Sequence, residues 1–314
     1  MSSVRAVVVD PNAPGRLTLQ EVNAPSPTPS QALVRVSAVS LNLGEVRRSA
    51  SAEAGWRPGW DLAGVVEQQA ADSSGPRKGA RVVGTVGSGA WAELVAVPTN
   101  NLGELPEGVT FAQASTLPIA GLTALRALQK GGLLLERNVL ITGASGGVGH
   151  FACQLAHHAG AHVVGGVRRQ ERVQAVKELG ANRVVVGDDL ETAREFGPYN
   201  LILDSVGGQS LANALTMLAQ DGVCVNFGTS NGYEVTFDAR QFYGTGGASL
   251  YGFIIFHELA RRPGAEDLTS LAQMIADGKL HPQIDVEESW TKIGEVAQQL
   301  QNRRITGKAV LRVE

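Results

Sequence analysis

Between Val139 and Gly149 the chain reads VLITGASGGVG, four apolar or β-branched residues running straight into a turn with four glycines. A buried strand, a glycine turn and a following helix make a phosphate site. Backbone N–H groups at the helix start face an anion, and only glycine lets a pyrophosphate approach so closely. The spacing here is Gly143-x-x-Gly146-x-x-Gly149 with Gly147 between, a departure from the usual G-x-G-x-x-G. Alone, the string also reads as a tight turn between sheet and helix. Its setting favours the nucleotide. Strands at 138–142, 162–167, 183–186, 201–206, 223–227 and 250–255 alternate with helical stretches at 120–129, 148–158, 171–179 and 210–219. That alternation predicts a parallel sheet wound on both faces.

Two competing nucleotide readings fail on particular residues. A P-loop needs Gly-Lys-Ser/Thr after the turn, whereas Gly149 is followed by His150. A short-chain dehydrogenase would begin with this fold and carry Tyr-x-x-x-Lys, and none of the four tyrosines has a lysine four positions on. An NAD site places an acid about twenty residues past the turn, to bind the ribose hydroxyls. This chain has Gly165-Gly-Val-Arg-Arg169 there, with no acid. Guanidinium groups suit a 2′-phosphate, which a carboxylate would repel. Arg168, with Arg169 and Arg172 near it, therefore points to NADP(H); the other reading is solvated surface arginines.

Before the nucleotide pattern the sequence is different. Short alternating strands at 4–10, 17–22, 32–41, 62–68, 80–86 and 92–97 are broken by turn residues, with Pro25, Pro27 and Pro29 as a stiff connector. A small antiparallel, barrel-like unit fits, and helical periodicity is nearly absent. The tail carries helices around 268–277 and 290–303 and a strand at 308–313. The expected domains are 1–115, a nucleotide domain at 116–255, and a return to the first domain at 256–314. Hydrophobic residues at 43% and charged residues at 18% are globular values, and a net charge of −3 gives no reason to invoke nucleic acid or an anionic membrane. Cys153 and Cys224 lie in apolar runs and read as buried thiols in preference to a disulfide. With neither a signal segment nor a membrane span in view, the expected location is cytoplasmic.

Taken in order, Ser40-Leu-Asn42, Pro58-Gly-Trp-Asp-Leu-Ala-Gly64, Gly79-Ala-Arg-Val-Val-Gly84, Gly89-Ala-Trp-Ala-Glu93, Leu117-Pro-Ile-Ala-Gly-Leu-Thr-Ala124, the glycine turn, Phe227-Gly-Thr229, Tyr251-Gly-Phe253 and Thr306-Gly-Lys-Ala-Val310 resemble a medium-chain dehydrogenase/reductase. The resemblance covers nearly the whole chain and is strongest to the zinc-free quinone oxidoreductases, the group that includes ζ-crystallin. It implies an α/β fold, a Rossmann doubly wound parallel sheet plus a GroES-like β-barrel catalytic domain. It also implies reduction of quinones or activated, α,β-unsaturated double bonds by NADPH. The alternatives are a 2-alkenal or enone reductase without quinone activity, and a non-catalytic NADPH-binding protein.

The resemblance assigns roles residue by residue. Asn42 and Thr123 would face the nicotinamide and substrate, with Asp61 near them; each also reads as structural, in a turn, a helix and a core respectively. Gly143, Ser145, Gly146, Gly147, Val148 and Gly149 would cradle the pyrophosphate. Gly228 and Phe253 would line the nicotinamide, and Lys308 would reach the cofactor or serve as a structural lysine. No metal is expected: residues 1–149 contain neither histidine nor cysteine, and Asn42-Leu-Gly-Glu-Val46 and Gly59-Trp-Asp61 stand where zinc-binding relatives carry ligands. Enoyl-thioester reductases carry a tyrosine proton donor soon after the Asn42 region, whereas the first tyrosine here is Tyr199. Trp56, Trp60, Trp91, Phe242 and Tyr243 read either as an apolar pocket or as core. Residues 249–255, SLYGFII, form an apolar edge strand expected to join a homodimer.

Overall fold

Alternating apolar residues lay down the first strands, β1 (Ser3–Val9), β2 (Leu17–Asn23) and β3 (Gln31–Leu41), with β1 and β2 paired antiparallel. The computed structural model describes residues 3–314, so the first two residues of the expected first domain lie outside the described residues. A helix, α1 (Leu43–Ser51), follows β3 at once. Then come β4 (Asp61–Gln68), β5 (Arg81–Thr85), β6 (Leu94–Pro98) and β7 (Leu102–Glu104). A short helix α2 (Phe111–Ser115) and a π-helical turn, Leu117–Gly121, lead into α3 (Leu122–Gln129). The sequence pattern placed no helix before residue 115, and α1 corrects that. Only Glu45, Val46 and Ser49 of α1 are buried, so the helix has almost no apolar face to show a period.

The chain divides into two compact units, one running to Leu122 and resuming over Leu259–Glu314, the other spanning Thr123–Glu258. The second unit holds β8 (Asn138–Ile141), α4 (Gly149–His158), β9 (His162–Val167), α5 (Val173–Glu178), β10 (Arg183–Val186), β11 (Tyr199–Asp204), α6 (Gly208–Leu215), β12 (Leu218–Asn226), α7 (Ala239–Gly244) and β13 (Ser249–Gly252). These strands form one parallel sheet in the order β10-β9-β8-β11-β12-β13. Val139, Leu140 and Ile141 are fully buried, as a central strand covered on both faces requires. The chain leaves β8 toward β9 and returns on its other side at β11. That reversal opens a crevice at the carboxyl ends of the strands.

Two expected boundaries shift. The helix expected to reach residue 219 stops at Leu215, and β12 begins at Leu218, through the polar Gln220-Asp221-Gly222. Asp221 adopts φ 58°, a kink that hides the strand from period-two reading. The strand expected to run to residue 255 ends at Gly252; Ile254 lies in a connector and Ile255 begins α8 (Ile255–Arg261).

The tail adds α9 (Ala265–Ala276), β14 (Ile284–Ser289), α10 (Ile293–Gln301) and β15 (Lys308–Arg312). β14 has only two apolar residues, Ile284 and Val286, and was invisible in the sequence; it is held by parallel pairing with β15. β15 in turn pairs antiparallel with β3, giving a seven-stranded sheet in the order β14-β15-β3-β4-β5-β7, with β6 also on β3. β3 is handed from β6 over Gln31–Arg35 to β15 over Ala38–Leu41. Trp91, Trp290, Val34, Leu62 and Leu311 lie in the core this sheet encloses.

Candidate active site

Strand register brings together three of the residues singled out from sequence. Ala309 pairs with Leu41, so Lys308, at the start of β15, meets Asn42 at the end of β3. Ala38 pairs with Ala63, and the same register carried on sets Ser40 opposite Asp61. Gly307 allows this path, since a Cβ there would lie 2.2 Å from the Gln283 carbonyl oxygen.

The result is one buried polar network. Asp61 Oδ2 accepts from Ser40 Oγ at 2.6 Å and from Asn42 Nδ2 at 2.7 Å, and its Oδ1 accepts from the Ile119 N–H of the π-helical turn at 3.0 Å. Lys308 Nζ donates to Asn42 Oδ1 at 2.6 Å and to the Leu41 carbonyl at 3.1 Å, and lies 3.6 Å from Asp61 Oδ2. Sequence reading missed Glu45, which completes the array: its Oε1 accepts from the Asn42 N–H at 2.7 Å and from Asn42 Nδ2 at 3.0 Å. The signal was present as Asn42-x-x-Glu45, the capping-box spacing at the start of α1. Ser40, Glu45, Asp61 and Lys308 are buried, and Asn42 is half-buried, so among these five it is Asn42 through which the network meets the surface.

Electrostatics follow from that burial. Desolvation pushes the Asp61 carboxyl upward, against the attraction of Lys308 and three hydrogen bonds. Glu45 is driven well above the ordinary carboxylate range, first by burial and then by the facing Asp61 charge. Burial draws the Lys308 ammonium down, opposed by both carboxylates. The Lys308 donors are directed at protein oxygens, so the lysine bears on the site through Asn42.

Thr123 lies in the other unit, buried in the first turn of α3. The aromatic candidates do not gather as one group. Trp91 is core, Trp56 packs against the same core and lies under the Arg48 guanidinium, Phe242 packs on the second unit's core, and Tyr243 is exposed.

In the second unit, the turn after β8 is shaped by its glycines. Gly143 has φ 61°, and a Cβ on Gly149 would lie 2.3 Å from the Gly143 carbonyl oxygen. Ser145, Gly146, Gly147 and Val148 are half-buried and lead into α4. Beside them a second buried carboxylate, also unforeseen, ties three strands. Asp204 Oδ1 accepts from Thr142 Oγ1 at 2.9 Å, and its Oδ2 from the Gly207 N–H at 3.0 Å and Asn226 Nδ2 at 2.8 Å. Burial raises its pKa while these donors oppose the rise. Ser205 returns two bonds to Thr142, so the residue before the glycine turn is fixed by its neighbours. Gly228 packs on Ser205, and Phe253 is buried against Phe227 and Tyr251.

At the end of β9, Arg168 is exposed and has no hydrogen-bond or ion-pair partner among the described residues. Arg169 pairs with Glu171 at 3.2 Å, and Arg172 Nε is buried without a hydrogen-bond partner. A turn whose Gly143 takes a positive φ and whose Gly149 has no room for a Cβ, beside a strand end with cations to spare, fits a phosphorylated dinucleotide. Among the described residues, no cluster of histidine, cysteine or carboxylate side chains forms a metal-binding group.

An open α/β sheet with a glycine turn at its switch point, joined to a mainly antiparallel unit built round a buried polar network, defines a nicotinamide-dependent oxidoreductase. The alcohol dehydrogenase GroES-like domain family matches residues 28–107, and the zinc-binding dehydrogenase family matches residues 147–276. The human mitochondrial NAD(P)H oxidoreductase RTN4IP1 is 30% identical over 284 residues, covering 81% of this chain and 70% of its own. The quinone oxidoreductase of Pongo abelii is 30% identical over 247 residues, covering 74% of this chain and 75% of its own. The quinone oxidoreductase of Pseudomonas syringae pv. tomato superposes with a TM-score of 0.85 at 26% identity, over 98% of this chain and 99% of that one. The chain belongs to the medium-chain dehydrogenase/reductase superfamily, in its quinone oxidoreductase branch, and is an enzyme of that class.

Proposed function

We propose that this enzyme reduces quinones or activated carbonyl-conjugated double bonds with NADPH, without a metal ion. The observation that carries the cofactor choice is the strand end at Arg168, an exposed guanidinium with no partner among the described residues, in a position where an NAD site has a carboxylate. Gly143, Ser145, Gly146, Gly147, Val148 and Gly149 would hold the pyrophosphate. Arg168, Arg169 and Arg172 would hold the 2′-phosphate, with Gly228 and Phe253 toward the nicotinamide. When bound, NADPH supplies the hydride.

The protein's own part is to orient and polarise. Both Asn42 N–H bonds are spent on Asp61 and Glu45, and the amide oxygen receives Lys308. The network therefore holds one amide in one orientation, a preorganised dipole that needs no rearrangement during reaction. Asn42 and Asp61 form the proposed catalytic polar set of the first unit, and Lys308 acts through Asn42 and not by direct contact with the cofactor. The part that resemblance gives Thr123 is checked by Thr123→Val, which removes a hydroxyl and keeps the volume close. Metal independence is supported by the lack of histidine and cysteine in residues 1–149, including the segments 42–46 and 59–61 where zinc-binding relatives carry ligands.

Stopped-flow oxidation of NADPH with 1,4-quinones and with 2-alkenals separates the acceptor classes. Faster turnover with quinones supports the leading reading, and turnover confined to alkenals supports the narrower one. Tight NADPH binding without oxidation by either acceptor would contradict both.

A further inference from the structure

Two carboxyl groups and one ammonium share the buried network around Asn42, with side chains 0% exposed for Glu45 and Asp61 and 2% for Lys308. Were all three ionised, the cluster would carry a net negative charge at side chains closed to bulk solvent, which folded proteins avoid. The hydrogen bonds show which carboxyl takes the charge. Donors converge on Asp61 from Ser40, Asn42 and Ile119, with the Lys308 ammonium close by. Glu45 receives both its bonds on Oε1, and Oε2 is buried with no hydrogen-bond partner among the described residues. An ionised Glu45 would leave a bare charge on that oxygen. A protonated one leaves only an unpaired hydroxyl, which costs far less.

The amide orientation is equally determined. Lys308 can only donate, so it fixes Oδ1 of Asn42, and both hydrogens of Nδ2 must then go to acceptors. Glu45 Oε1 is one of the two. We propose that Glu45 is a positioning residue that works as a neutral carboxylic acid, locking the Asn42 amide so that its oxygen, and never its N–H, is turned to a bound molecule. The inference rests on the reading of Asn42 as part of the reactive site, and burial and the facing Asp61 carboxylate both favour the proton on Glu45.

Two variants and one spectrum test it. Glu45→Gln keeps the acceptor at Oε1 and places an uncharged group at Oε2, so it should fold and keep kcat/KM within about twofold, with an unchanged pH profile. Glu45→Ala should lower kcat at least tenfold while KM for NADPH holds, because the Asn42 amide and backbone N–H lose their Glu45 acceptor and the amide is held by Asp61 and Lys308 alone. The infrared difference between wild type and Glu45→Gln at neutral pH should show a carboxylic-acid C=O stretch that the variant lacks. A Gln variant as impaired as the Ala variant, or unable to fold, overturns the proposal, as does a difference spectrum with only carboxylate bands. The infrared measurement decides the protonation state even where no acceptor is turned over, so the inference and the functional reading fail separately.

Discussion

A Cβ on Gly149 would lie 2.3 Å from the Gly143 carbonyl oxygen and 2.7 Å from Ala144 Cα, both rigid backbone atoms. Gly149→Ala should therefore cost about 1–3 kcal/mol of stability through overpacking and weaken dinucleotide binding at the same time. Calorimetry with and without NADPH checks both; an unaltered thermal midpoint would contradict the crowding. At Arg168, one lost charge-assisted contact of about 1.5–3 kcal/mol corresponds to a roughly 10- to 150-fold weaker NADPH complex. Arg168→Ala should show that loss by titration while NADH hardly changes, and equal losses for both would remove the 2′-phosphate role. Glu45 has its own pH signature. Its folded pKa is raised, so the folded state binds the proton more tightly than the unfolded one, and that advantage fades as pH rises through the raised value. The stability of wild type relative to Glu45→Gln should fall with rising pH, as read by denaturant midpoints; a rising difference would mean Glu45 is ionised. Cys153 is held at about 12 by burial, and its thiol should be inert to alkylation until the protein unfolds.

At the scale of elements, β13 is the edge of the six-stranded sheet, with Leu250 44% and Ile254 66% exposed. An apolar edge of this kind invites pairing with a second copy across a two-fold axis. Ile254→Lys, now placed just past the strand end, should shift a wild-type dimer toward monomer in sedimentation; a monomeric wild type at micromolar concentration would refute the arrangement. What was legible here follows from burial. β8 is continuous and apolar because both faces are covered, and its glycine turn announced the dinucleotide fold. α1 and β14 were not legible, because each takes its stability from partners and fully buries few or none of its apolar side chains. The polar network was half legible. Asn42, Asp61 and Lys308 stood out by resemblance, while their bonding came from strand register, a long-range pairing of β3 with β4 and β15 that no local pattern encodes. Glu45 and Asp204 were overlooked for the opposite reason, since isolated acids in a sequence read as surface until burial shows otherwise.

For the whole molecule, the polar network of the first unit and the glycine turn of the second are each held by residues far apart in sequence. The first is closed by the tail strand β15 and the second by three parallel strands tied at Asp204. No cluster of histidine, cysteine or carboxylate side chains among the described residues forms a metal-binding group. The measurement that bears most directly on the account is the rate of cofactor oxidation by a 1,4-quinone after prolonged dialysis against chelator, with NADPH and NADH compared side by side. Rapid oxidation of NADPH, a much slower or weaker reaction with NADH, and no gain on adding zinc is the predicted result. Equal use of both cofactors, or activity that vanishes with the metal and returns with zinc, would contradict it.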